Sequence, residues 1–125
     1  MIDINAYTGK RYGFMTYNCW QHVVAVRKSA GIKTKMYTVA SMAAGVVASK
    51  FNTERTRNTH GLILVTEARN FDIVIFKRPV ASIDYYHAGI WFNDWVSHSC
   101  NIVGQVIFEP LTEAIKNRRD VEFWR

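Results

Sequence analysis

Two cysteines and four histidines carry the nucleophilic and acid–base potential of this 125-residue chain: Cys19, Cys100, His22, His60, His87 and His98. Cys19 stands out by its setting, Tyr17-Asn18-Cys19-Trp20, directly after an asparagine that suits a helix N-cap. A thiol in the first turn of a helix feels the positive end of the helix dipole, which favours the thiolate. A thiolate becomes a working nucleophile when an imidazole takes its proton and a third polar group holds that imidazole in place. His87 and His98 are the natural candidates for base and orienter. Free cysteine is also a common small core hydrophobe, and a strand histidine is often only packed, so residue types alone leave a structural role open.

Such a constellation needs elements that converge. Trp20, Val23, Val24 and Val26 fall mostly at helical spacing, Arg27-Lys28 suit a helix C-terminus, and Gly31 can close the helix, which predicts helix from Cys19 to about Ala30. An ordered, tyrosine-rich lead-in precedes it over residues 1–18. A second helix is expected over about Tyr37–Phe51, packed closely through its small residues, then a charged loop from Asn52 to Thr59. Strand-like runs follow at 61–65, 72–76, 88–92, 95–98 and 102–108. Asn93-Asp94 is a tight-turn pair, so the third and fourth runs form a hairpin whose register puts His87 and His98 within about one residue of facing each other. In this reading His87 begins one strand and His98 ends the next. Pro110 opens a last helix to Asn117, and residues 121–125 form a terminal strand. The expected class is α+β, N-terminal helices packed on a central antiparallel sheet in a single domain, 1–125.

Sixteen basic against ten acidic residues give a net charge of +6, suited to anionic partners such as nucleic acid, anionic membrane or cell-wall polymer. The basic residues are scattered and read as solvated surface. Two cysteines do not make a disulfide framework, which suits a reducing compartment. The start of the chain lacks a basic region followed by an apolar run, so no signal peptide is expected. The least polar window, Met36–Ala48, is too short and too interrupted to span a bilayer, so no membrane span is expected either. The chain has no Gly-x-Ser-x-Gly, no His-Glu-x-x-His and no phosphate loop.

The ordered set Tyr-Asn-Cys-Trp around Cys19, His-Ala-Gly-Ile-Trp from His87 and Val-Ser-His-Ser around His98 resembles the three signature segments of the NlpC/P60 family, papain-like cysteine peptidases and amidases. Tyr7-Thr8-Gly9-Lys10-Arg11-Tyr12 is similar to the family's Tyr-x-Gly-x-x-Tyr segment, and Phe71-Asp72-Ile73-Val74 to its Gly-Asp-Val-Val strand. The closing residues 121–125 are like the ending of short, phage-encoded members. The resemblance implies a papain-like NlpC/P60 fold, Cys19 as nucleophile, His87 as base and His98 as orienter. Tyr12 would stand beside the nucleophile and, with the backbone N–H of Cys19, help to bind the oxyanion. It implies hydrolysis of amide bonds in peptidoglycan stem peptides, often next to D-glutamate, with no cofactor and no metal. Phage-tail proteins are then expected partners, with synthesis in the cytoplasm and incorporation into a virion. Three positions depart from the family pattern: Phe71 stands at the usual glycine, Asn-Cys-Trp-Gln replaces Asp-Cys-Ser-Gly, and His22 replaces an aliphatic residue.

Other readings compete. Cys19-x-x-His22 with His98-x-Cys100 offers four ligands to a tetrahedral zinc, although structural zinc pairs usually sit in tight turns and Cys19 is expected on a helix. A non-catalytic structural or binding module of a phage tail would keep the fold without turnover. Nucleic-acid binding rests on charge alone and lacks a recognition motif. Outside the zinc reading His22 is expected as a half-buried helix residue and Cys100 as a structural thiol.

Overall fold

The computed structural model describes residues 2–13, 16–36, 62–80, 83–100, 102–116 and 119–125. The expected helix at 37–51, the charged loop after it and His60 lie outside the described residues.

Helix α1 runs Cys19–Ser29, and its start follows from Asn18 and Gln21. The Asn18 side-chain oxygen accepts the N–H groups of Trp20 and Gln21 at 3.1 and 3.0 Å, while Gln21 Oε1 accepts the Asn18 N–H at 2.8 Å. Three backbone donors are thereby satisfied, those of Asn18 and Gln21 reciprocally. Gly31, at φ +80, turns the chain away after the last turn. Arg27 does not join the solvated basic surface: it is buried, and donates from Nη1 to the Phe71 carbonyl at 2.9 Å and from Nε to Thr34 at 2.8 Å. Burial lowers its pKa below the usual guanidinium value.

Six strands, all paired antiparallel, form one sheet: β1 (Leu64–Val65), β2 (Ile73–Val80), β3 (Ile83–Phe92), β4 (Trp95–Cys100), β5 (Gln105–Pro110) and β6 (Arg119–Trp124), in spatial order β1-β6-β2-β3-β4-β5. The protein is thus a small α+β domain with few helices among the described residues. Alternation along the strands divides the side chains between two faces. Ile73, Ile75, Ala88 and Ile90 meet Trp20, Val23 and Val26 of α1 on one face. Val74, Phe76 and Val96 meet Ala114 of α2 (Leu111–Ala114) on the other.

Several boundaries differ from the sequence expectation. Strand β3 begins four residues before His87, so that histidine sits inside the strand, and β4 continues past His98 to Cys100. β2 is longer because it pairs on both sides, with β3 and β6, and absorbs an irregularity between Ile75 and Lys77. Residues 102–104 form a turn instead of strand, closed by the Gly104 N–H on the Cys100 carbonyl at 2.8 Å with Gly104 at φ +87. The helix after Pro110 lasts one turn, and the last strand begins at Arg119.

The lead-in is ordered because it lies along β5. Gly9 and Tyr12 donate backbone bonds to the Val106 and Gly104 carbonyls, and Val106 donates back to Lys10, all at 2.8 to 2.9 Å. Farther across the sheet, Arg125, just after β6, grips buried Asp72, just before β2, through Nε and Nη2 at 2.9 and 2.7 Å. No helix among the described residues is long and apolar enough to cross a membrane.

Candidate active site

Asn93 and Asp94 adopt φ +48 and +65, the two left-handed residues of a type I′ turn, whose twist matches that of paired strands. The ladder they set pairs Phe92 with Trp95, Trp91 with Val96 and Ile90 with Ser97. Continued one step, it sets Gly89 opposite His98, with His87 diagonally beyond. Diagonal neighbours are within reach of long side chains, and here the imidazoles touch: His87 Nε2 and His98 Nδ1 are 2.8 Å apart.

Gly89 makes that contact feasible. A Cβ there would stand 2.7 Å from Val96 Cγ1 and 3.1 Å from both His98 Cβ and the Ser97 carbonyl. A side chain there would press on the Cβ from which the His98 ring springs. Phe76 closes the apolar side, its ring 5.3 Å from that of His87 and 6.4 Å from that of His98. Both histidines are buried.

The chain of bonds extends one residue further than the sequence suggested. His98 Nε2 lies 2.8 Å from Glu109 Oε1, and the carboxylate side chain keeps 27% of its surface exposed. Glu109 escaped notice because the fifth strand was expected to stop at Phe108, just before the turn imposed by Pro110. Pairing of His98 with Ile107 and of Val96 with Glu109 puts the acid on the same face, one step along from His98. A pattern signal existed: Ile107 and Glu109 alternate in phase with Gln105 on a strand that pairs with β4. Beyond Glu109 lies an open cavity of about 270 Å³, lined by His98, Cys100, Ile107, Glu109 and, from the α2 side, Glu113 and Lys116.

Cys19 is the first residue of α1, half-buried, and packs against the α1-side cluster. α1 lies on β3 and β4. Its start is clipped to β4 on both sides of His98. Ser99 donates to the Tyr17 carbonyl at 2.8 Å, and Ser97 Oγ lies 2.8 Å from His22 Nε2. Ser97 and Ser99 point to the α1 side while His98, between them, points to the α2 side. The thiol and the imidazole pair therefore approach β4 from opposite faces, and Ala88, beside His87, belongs to the cluster on which Cys19 packs. Tyr12 is half-buried in the lead-in beside the β4–β5 turn.

His22 corrects an expectation: it is fully buried, not half-buried. Its Nδ1 lies 2.8 Å from the Tyr17 hydroxyl and its Nε2 on Ser97, with the Tyr7 and Tyr17 rings set edgewise around it. Burial pushes its pKa down to about 3, and His98 and Lys10 add to the effect. Burial likewise raises the Tyr17 hydroxyl above its ordinary range. Cys100 is buried beside His98 and lines the cavity. Among the described residues no three His, Cys, Asp or Glu side chains converge as metal ligands, and both His22 nitrogens are engaged by hydroxyl groups.

No protein-family model matches the chain, and no curated protein matches it.

Proposed function

We propose that this chain is a cysteine peptidase or amidase of the NlpC/P60 type, a single papain-like domain that cleaves an amide in a cell-wall stem peptide. The observation that carries the reading is the buried His87–His98 bond, since an imidazole held through one nitrogen by a second polar group is what a general base requires. With Nε2 engaged, Nδ1 of His87 is the nitrogen that takes the thiol proton. A second observation supports the resemblance. Phe71, at the position of the motif's glycine, adopts φ +74, a conformation that glycine enters freely and phenylalanine does not.

In the reaction, the Cys19 sulfur attacks the amide carbon as His87 takes its proton. The oxyanion is held by the N–H of Cys19, at the helix start, and by Tyr12. His87 then gives the proton to the departing amine, leaving a thioester on Cys19. Water, deprotonated by His87, releases the acid and regenerates the thiol. For this the Cys19 sulfur must reach Nδ1 of His87 around the His87–Ala88 step of β3, across the pleat that separates the face of the imidazole pair from the face on which Cys19 packs. The setting follows the same resemblance: a phage-tail protein made in the host cytoplasm and carried in the virion.

Alkylation tests the reading. At pH 7 Cys19 should react with iodoacetamide at least about tenfold faster than glutathione, as expected for a thiol with lowered pKa. His87→Ala should remove the advantage, and the active protein should release new amino groups from peptidoglycan stem peptides. Equal, slow alkylation of Cys19 and Cys100, unchanged by His87→Ala, would overturn the proposal and leave a non-catalytic module.

A further inference from the structure

We infer that Glu109 is the positioning residue that fixes the tautomers of both site histidines, so that the orienting chain runs His87–His98–Glu109 and ends in the cavity on the α2 side. Its consequence at Cys19 rests on the peptidase reading; the tautomer assignment does not.

The argument is one of donors and acceptors. As a carboxylate Glu109 can only accept, so Nε2 of His98, 2.8 Å away, must carry a hydrogen. In a neutral His98 the other nitrogen, Nδ1, is then an acceptor. It faces His87 Nε2 at 2.8 Å, so that nitrogen must be the donor. A neutral His87 protonated at Nε2 has its lone pair on Nδ1. One carboxylate thus sets, through two rings, which nitrogen of His87 is basic. Without it each ring could hold the opposite tautomer, and His87 would present an N–H where a base is needed.

The surroundings suit this role. His98 is enclosed while Glu109 is partly open, so the charge that orients the buried pair keeps contact with water. The groups around this end of the chain are Glu113 and Lys116 from the α2 side, Cys100 on β4 and neutral His22 across the sheet. The cavity of about 270 Å³ leads from solvent to the carboxylate, large enough to admit a small anion when the side chain is cut back.

Histidine tautomers are read by long-range nitrogen–proton NMR on the full chain. Wild-type protein should show His87 and His98 both protonated at Nε2 in their neutral forms. In Glu109→Ala, His98 should lose that single tautomer, and Cys19 alkylation should slow by on the order of tenfold or more. Added formate, but not chloride, should restore the Nε2–H form and most of the rate. A packing role for Glu109 predicts no such rescue.

Wild-type His98 protonated at Nδ1, unchanged tautomers in Glu109→Ala, or no response to formate would each overturn the inference; the first needs no variant to fold. If Cys19 reacts fast and depends on His87 while Glu109→Ala changes nothing, this inference fails and the peptidase reading stands. If the tautomers follow Glu109 while Cys19 reacts like an ordinary thiol, the peptidase reading fails and the inference stands.

Discussion

Two histidine neighbourhoods lie back to back across β4, and they differ in what terminates them. On the α1 side His22 is bracketed by the hydroxyls of Tyr17 and Ser97, deep in the core. Hydroxyls can donate or accept, so they satisfy a neutral ring fully and offer a charged one little. With burial added, the ring stays neutral down to about pH 3. On the α2 side the pair His87–His98 ends on a partly exposed carboxylate, which stabilises a proton shared with it. The same side chain is a structural peg in one place and, in the proposed reaction, an acid–base group in the other. Two serines alternating with one histidine along β4 are enough to separate the two environments by a single pleat.

That contrast is broken most forcefully at His22. His22→Ala empties a buried ring site and strips Tyr17 and Ser97 of their partner, which together should cost about 4 kcal/mol in urea unfolding. A loss below about 1 kcal/mol would mean that the peg carries little of the fold.

A pH series tests the same group without removing it. The folded pKa is lowered to about 3 from an ordinary 6.5, so the unfolded chain takes up a proton that the folded chain refuses. Stability from this group is full above about pH 6.5 and falls at about 1.4 kcal/mol per pH unit as the pH drops toward 3. His22→Gln keeps hydrogen-bonding capacity and has no proton to gain, so its urea midpoint should fall less steeply between pH 6 and 4. Parallel curves for the two proteins would remove His22 as the buried neutral histidine of this pair of sites.

On the other side the sharpest probe is Gly89. An alanine methyl there meets buried Val96 at 2.7 Å and the Ser97 carbonyl at 3.1 Å, where neither can give much. Gly89→Ala should cost about 2 kcal/mol and push His98 off His87. In NMR the His98 ring signals should move, while those of His22, one pleat away, shift far less. Equal displacement of both rings would show that β4 does not insulate the two neighbourhoods.

What the sequence disclosed and what it hid divide along physical lines. Local chemistry was legible: Asn18 and Gly31 bound α1 because capping depends on single residues, and Asn93-Asp94 fixed the hairpin register that brings His87 to His98. The alternation that assigns His22 and His98 to opposite faces could be anticipated only in part, because it depends on which strands pair on both sides. Glu109 was hidden by its place before Pro110, where a strand end and a helix start compete, and the pairing of β5 with β4 decides the outcome. His22 was misjudged as half-buried since helical spacing marks a face but not the depth to which a polar residue sinks; Ser97 and Tyr17, distant in sequence or off the helix, make that depth tolerable.

The smallest effect tests the turn that both neighbourhoods depend on. Asp94 holds φ +65 in an exposed hairpin, where its Cβ is a mild strain and glycine is the preferred occupant. Its carbonyl accepts the Leu111 N–H at 2.8 Å, a backbone bond that glycine retains. Asp94→Gly should therefore raise stability by about 0.5 kcal/mol, the relief of strain being partly offset by a freer unfolded chain. Cys19 alkylation should stay as it is, since the register and both histidine environments are preserved. A loss of stability would mean that the Asp94 side chain supports the turn in a way its backbone angles do not reveal, and an altered Cys19 rate would show that turn strain is transmitted to the site along β3 and β4.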